Sequence, residues 1–74
     1  MTPARNPKLL DVVAVLNGYD AVGVEVGDVG TVVELLSPDG IEVEFVNRNG
    51  RTERIATLRV RDVLVLNREK TPVA

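Results

Sequence analysis

Two glycines three residues apart, Gly27 and Gly30, stand at the beginning of the valine-rich stretch 30–36. Glycine lets a strand bend sharply or approach a neighbouring backbone closely. A phosphate-binding loop would need such glycines before a helix, whereas a valine strand follows here. Fifteen of the 74 residues are valine, and β-branched side chains favour the pleated backbone of a strand. The pattern predicts an all-β domain with strongly bent strands.

Five short apolar segments alternate with turn residues, and we expect each segment to form a strand. The predicted strands cover approximately residues 11–16, 30–36, 41–46, 51–58 and 63–66. Ser37-Pro38-Asp39-Gly40 predicts a tight turn with Gly40 in the left-handed region. Residues 47–50, which end in Gly50, predict a second tight turn. Residues 59–62 predict a short 3₁₀-type turn before the last strand.

This arrangement favours a small five-stranded SH3-like barrel over residues 9–66. Closing the sheet on itself protects its edge strands. An open sheet that dimerises is the alternative, through a sheet edge or the valines around Val22-Gly23-Val24. Residues 1–8 and 67–74 contain prolines and no apolar pattern, so we expect a flexible lead-in and a flexible tail.

The composition argues against most catalytic chemistry. The chain has no cysteine and no histidine, which removes disulfides, the usual zinc sites and Ser–His or Cys–His nucleophile pairs. So small a core also leaves little room for a substrate pocket. We therefore expect a non-enzymatic protein without a cofactor or metal. No apolar run is long enough to cross a bilayer, so a cytoplasmic location is expected.

Charge is unevenly distributed along the chain. Residues 1–46 carry a net charge of −6 and residues 47–74 one of +4. Guanidinium groups suit bidentate recognition of carboxylate or phosphate. We therefore predict a partner-binding face that contains Arg48, Arg51, Arg54, Arg59 and Arg61. The alternative is that these arginines pair across strands with Glu42, Glu44 and Glu53, where each exposed pair contributes about 0–1 kcal/mol.

The arginines have a predicted arrangement. Strand alternation places Arg54 on the same face as Thr52, and we expect both arginine groups near the second hairpin. Tyr19, in the loop 17–26, is a second kind of candidate. It either anchors a partner or caps one end of the barrel. Glu42 and Glu44 alternate with apolar residues, which favours a solvated strand face over a carboxylate pair for acid–base chemistry.

Several motifs carry a resemblance to a small bacterial family catalogued as domain of unknown function 4926. The matching pieces are Asp11-Val12-Val13-Ala14, Gly27-Asp28-Val29-Gly30-Thr31-Val32-Val33, Val43-Glu44-Phe45, Gly50-Arg51-Thr52 and Thr57-Leu58. The resemblance covers residues 9–66 and implies a stand-alone bacterial protein, with toxin neutralisation as one suggested role. Residues 27–34 are also similar to the KOW motif of SH3-like barrels.

Two functions therefore compete. The first is a protein-binding module, an antitoxin-like or immunity-like partner of a neighbouring gene product. The second is RNA binding through a KOW-like barrel and the arginines. The acidic pI of about 5.0 and the missing aromatic platform argue against the second.

Overall fold

The computed structural model describes residues 6–47 and 49–66, and these form one antiparallel sheet. The strands are β1 (Val12–Val15), β2 (Val29–Leu36), β3 (Gly40–Val46), β4 (Thr52–Arg59) and β5 (Val63–Val65). Two short 3₁₀ helices cover Asp20–Val22 and Val60–Asp62. The five predicted strands and the turn before the last strand are confirmed. The first 3₁₀ helix lies in a segment that the sequence predicted as a loop.

The strand order is β4-β3-β2-β1-β5, as in an SH3-like barrel. Strand β2 is the central strand of the sheet. Its first residues, 29–31, pair with β1, and residues 31–36 pair with β3. Within the described residues, β4 and β5 are not hydrogen-bonded to each other. The SH3-like fold is therefore confirmed, but the expected closure of the sheet by strand pairing is wrong.

The core is almost entirely aliphatic because every second residue of each strand points inward. It is formed by Val13, Val15, Val24, Val32, Ile41, Val43, Phe45, Ala56, Leu58 and Val63. Burying an aliphatic side chain of this size contributes about 1.5–3 kcal/mol. Val24 is 1% exposed, so the predicted dimer contact through residues 22–24 does not include its side chain.

Gly30 is needed because β2 crosses β3 closely at this point. A Cβ atom at Gly30 would lie 2.6 Å from Val43 Cγ1 and 2.8 Å from the Glu44 carbonyl oxygen. Gly27, by contrast, has a φ of 93° in the turn before β2. A β-bulge lies further along β2, where the β2–β3 register shifts between Val32 and Glu34.

The first hairpin differs from its prediction in one detail. Gly40 is the first residue of β3 and is not among the glycines with positive φ. The expectation of a left-handed Gly40 is therefore wrong. The turn is made by residues 37–39, and the Ser37–Pro38 peptide bond is cis. Gly50 does adopt a positive φ, of 80°, in the second turn.

The chain termini lie only partly within the described residues. Residues 1–5 of the predicted lead-in and residues 67–74 of the predicted tail are outside them. Residues 6–8 are attached to the sheet: Pro7 is buried, and Lys8 N–H donates to Asp11 Oδ2 at 2.8 Å. No helix in the described part of the chain is long and apolar enough to cross a membrane.

The close approach of β2 and β3 at Gly30 predicts that a side chain at this position lowers stability. Gly30→Ala places a methyl group against the Glu44 carbonyl, which cannot move without breaking the sheet, so the free energy of unfolding falls by about 1–3 kcal/mol. Urea denaturation measures the change. Gly40→Ala is the matched control, because its Cβ would lie at an ordinary contact distance of 3.4 Å from Leu36 Cβ. Equal losses in the two variants would contradict the close-crossing explanation.

Candidate functional site

Asp62, at the end of the second 3₁₀ helix, is a buried carboxylate that joins separate parts of the chain. It accepts hydrogen bonds from the Tyr19 hydroxyl at 2.5 Å and from the Asn17 side-chain amide at 2.9 Å. Its main-chain carbonyl accepts a bond from Leu16 N–H at 2.7 Å. Asp62 thus fixes the loop after β1 to the segment that precedes β5.

Tyr19 connects this carboxylate to β4. Its hydroxyl donates to Asp62 and accepts the backbone N–H of Arg59 at 3.0 Å. Its ring packs against the core and is partly buried. Tyr19 thus spans the opening between β4 and the rest of the sheet, which fits the capping role. Its role as a partner anchor stays a prediction from the sequence.

The contact moves the pKa values of the two groups apart. The hydrogen bonds from Tyr19 and Asn17 lower the pKa of Asp62 from its ordinary 3.8. Burial, and then the bond to Asp62, raises the pKa of Tyr19 above its ordinary 10.0. Near neutral pH the pair is a phenol and a carboxylate, and neither group titrates there as a general acid or base must.

Arg54 is partly buried and bound to the loop after β1. Its Nη1 donates to the carbonyls of Val22 and Gly23, each at 2.7 Å. These carbonyls end the first 3₁₀ helix, where unpaired acceptors attract a cation. Arg54 lies opposite buried Phe45, whereas Thr52 lies opposite Val46 and donates to Glu44. A register shift between these two pairs puts Arg54 and Thr52 on different faces, so their predicted shared face is wrong.

Arg59 and Arg61 lie beside the first hairpin. Arg59 Nη1 contacts the Asp39 carboxylate oxygens at 3.1 and 3.2 Å. The antiparallel register puts Arg59 opposite Gly40, at the end of β4 remote from the second turn. The expected grouping of the arginines near the second hairpin is therefore wrong. Both partners are exposed, so this ion pair contributes about 0–1 kcal/mol.

The remaining predicted arginines are separated from this end. Arg51 is exposed beside the second turn, where Asn47 Oδ1 accepts its backbone N–H. Arg48 lies outside the described residues. Arg61 is exposed and lines a groove of about 350 Å³ that also includes Leu16, Val60, Val63 and Leu64. The described arginines thus do not form one continuous basic face.

The outer face of β1, β5 and the first part of β2 is the feature that sequence reasoning missed. Ala14 pairs with Val29 on one side and with Leu64 on the other, which aligns three apolar side chains. Val12 lies in the next row beside Leu66, whose N–H it accepts. We call these residues the apolar face: Val12, Ala14, Val29, Leu64 and Leu66. None of them is charged.

The apolar face is open to solvent and continuous with the groove. Val29 is 49% exposed and Leu64 is 45% exposed, and Leu16 and Leu64 also line the groove. The signal in the sequence is the unbroken apolar runs 12–16 and 63–66. Such runs are typical of strands covered on both faces, whereas these strands have the core on one side only.

The outer face of β2 and β3 is acidic. Glu34 lies directly opposite Glu42, and Glu44 lies opposite Thr31. Like charges in opposed positions are mildly destabilising. These glutamates lie on the solvent side of the sheet, as the alternation of Glu42 and Glu44 with apolar residues predicted. Within residues 6–47 and 49–66, no group of three or more His, Cys, Asp or Glu side chains is arranged to hold a metal ion.

These features define a small all-β domain with the strand order of an SH3-like barrel. Its candidate site is an exposed apolar face. The chain belongs to the family described as Domain of unknown function (DUF4926), whose model matches residues 9–65. No curated protein and no solved structure matches the chain.

The Tyr19–Asp62 contact predicts a defined pH dependence of stability. Tyr19→Phe removes a bond to a carboxylate and leaves Arg59 N–H without that acceptor, so the free energy of unfolding falls by about 1–3 kcal/mol at pH 7. The contribution of Asp62 is present above 3.8 and is lost as the pH falls through its lower folded pKa. That of Tyr19 is present below 10.0 and is lost as the pH rises through its higher folded pKa.

Urea denaturation of the unmodified protein and of Tyr19→Phe, repeated at a series of pH values, tests this pH dependence. The stability difference is expected to be largest between about pH 5 and pH 9 and to shrink towards both extremes. A difference that stays constant throughout would show that the two groups do not interact as described.

The role of Arg54 is tested by hydrogen exchange. Arg54→Met removes the donor to Val22 and Gly23, so the backbone amides of Gly23 and Val24 should exchange about tenfold faster, while global stability falls by about 1 kcal/mol. Arg51→Met, at an exposed position just before β4, should change neither. Unchanged exchange in Arg54→Met would exclude an anchoring role.

Proposed function

We propose that this domain is a non-enzymatic protein-binding module that binds its partner through the apolar face and the adjoining groove. The observation that carries the proposal is that three neighbouring strands present a charge-free row of exposed aliphatic side chains to solvent. Exposed contiguous apolar patches mark interaction sites in proteins of this size.

The groove gives the partner a chemical character. Arg61 lines the groove with Leu16 and Leu64. The other charged residue of the groove, Asp39, is paired with Arg59, so the guanidinium of Arg61 is the charge that stands next to the aliphatic surface. A complementary partner carries an apolar segment with a carboxylate next to it, and such charge complementarity speeds association and fixes orientation. Arg61 is thus the one predicted arginine that the proposal keeps as a direct contact.

Other predicted contacts have internal roles. Tyr19 is engaged with Asp62, and Arg54 with the loop carbonyls. Arg59 pairs with Asp39. The proposal assigns these three side chains to the support of the site and not to its surface.

A proteinaceous partner encoded nearby is the form of the proposal that we favour. Membership of a family with no assigned activity leaves antitoxin-like or immunity-like binding as the specific hypothesis, in the cytoplasm. Nucleic-acid binding stays a prediction from the sequence, and the separation of Arg51 and Arg61, which lie beyond opposite ends of β4, gives it no support.

The test compares the same substitution at two positions of β2 that are equally exposed, 49% each. Val29→Lys puts a charge in the centre of the apolar face, whereas Leu35→Lys puts one near the far end of β2, outside the apolar face and its groove. With the product of the adjacent gene as ligand, Val29→Lys should weaken binding about 30-fold, the loss typical of an interface hot spot. Leu35→Lys should bind like the unmodified protein.

A charge reversal tests the groove. Arg61→Glu should slow association and weaken the salt dependence of binding, since it removes the favourable field. Equal binding by all three variants would reject this surface. Binding of RNA or DNA at low salt, with no protein bound, would replace the proposal by the nucleic-acid alternative.

A further inference from the structure

Strand β4 is an eight-residue strand at one end of the sheet order. One edge of β4 is paired with β3. No strand among the described residues pairs with the other edge of β4. β5, at the opposite end of the order, has three residues. A long open edge offers unpaired peptide groups to another strand. The open edge of β4 is therefore the larger of the two edges available for pairing.

Two hydrogen bonds show which peptide groups of β4 point outward. Val60 N–H donates to the Asp39 carbonyl, on the β3 side, whereas Arg59 N–H points away from β3 and donates to Tyr19. Peptide groups alternate in direction along a strand. Ile55 and Thr57 therefore present their N–H and C=O groups to the open edge, and both side chains are exposed on the outer face.

This stretch lacks the usual protection of an edge. It contains no proline, and the register shift that distorts β4 lies before Arg54. Ile55 is 55% exposed and, like Thr57, is β-branched and suits a strand. An edge of this kind is a template for a further strand.

The charges on the strand select the partner and its register. With a two-fold axis at Ala56, Ile55 lies opposite Thr57 of a second copy, and these two positions supply the backbone pairing. Glu53 then lies opposite Arg59 of that copy and meets it through side chains only, because the Arg59 N–H stays with Tyr19 and the register shift lies at Glu53. Shifting the axis to residue 55 places Arg59 opposite Arg51. Shifting it to residue 57 places Glu53 opposite Arg61, which lies beyond β4 in the second 3₁₀ helix, so only the axis at Ala56 pairs Glu53 with a cation of the strand itself. Opposed charges stabilise a cross-strand pair, and symmetry supplies two such pairs.

We propose that two copies of this chain associate through antiparallel pairing of their β4 edges, centred on Ala56. The two-fold makes the contact isologous, so that each β4 edge is used up and assembly stops at the dimer. Arg59 retains Asp39 on one side, since that contact uses Nη1 alone. The apolar face lies on other strands and stays free for a different protein.

Sedimentation equilibrium of the full chain over a range of concentrations is the first measurement. The expected species is a dimer of about 16 kDa, twice the chain mass of 8.0 kDa. A protein that remains monomeric at all concentrations, or that forms a continuous series of larger species, would overturn the proposal.

Substitution at Thr57 tests the backbone pairing. Thr57→Pro removes an N–H that points away from β3, so the pairing within the sheet is kept, and the dimer should dissociate. Thr57→Val retains the N–H and should dimerise normally. Circular dichroism establishes that both variants are folded. A folded Thr57→Pro variant that still dimerises would contradict edge pairing.

A charge exchange tests the register and does not depend on the proline variant. Glu53→Arg and Arg59→Glu should each weaken the dimer about tenfold, and the double exchange should restore it. Asp39→Ser is the control, because it breaks the Arg59–Asp39 pair without changing the edge. Failure of the double exchange to restore the dimer would exclude this register. Val29→Lys should dimerise normally, which separates this proposal from that of the apolar face.

Discussion

The hydrogen bonds around Asp62 hold together a sheet whose two end strands are not paired. β4 and β5 end the strand order without pairing with each other, so contacts other than a backbone ladder close the gap between β4 and the loop after β1. The Asp62 carboxylate binds Tyr19, and Tyr19 in turn binds the backbone of β4 at Arg59. A buried carboxylate is stable only when its oxygens are satisfied, and both are. The same bonds that make its burial tolerable thereby bridge the opening of the barrel.

Much of this fold is readable from alternation and turn chemistry. Ile41-Glu42-Val43-Glu44-Phe45 alternates so regularly that β3 and its buried face follow directly from the sequence, and Gly50 correctly marks a turn. The Asp62 interactions are not readable in this way. Asp62 is 45 residues from Asn17 and 43 from Tyr19 in the sequence, and an aspartate in a turn is ordinarily a local hydrogen-bonding residue. Only the three-dimensional path of the loop after β1 reveals its partners.

The arginines illustrate the same limit. Counting alternate positions in the sequence placed Arg54 on an exposed face together with Thr52. A register shift between these two residues adds one residue to β4, so their side chains lie on different faces. The extra residue is invisible in a pattern of charged and polar side chains, because neither face of that segment is marked by a continuous apolar row. Charge composition therefore predicted a basic surface, whereas the fold uses Arg54 and Arg59 to pair with a loop and a turn.

The two outer faces of the sheet differ in a way that constrains how the protein can associate. β2 and β3 expose Glu34 opposite Glu42, an arrangement that costs a little stability and prevents face-to-face packing of two copies at that surface. β1 and β5 carry no charge on their outer face, so nothing there opposes contact with an apolar partner. Burial of the apolar face by another protein and edge pairing by β4 use different strands. Each can occur without displacing the other, and the acidic face separates them.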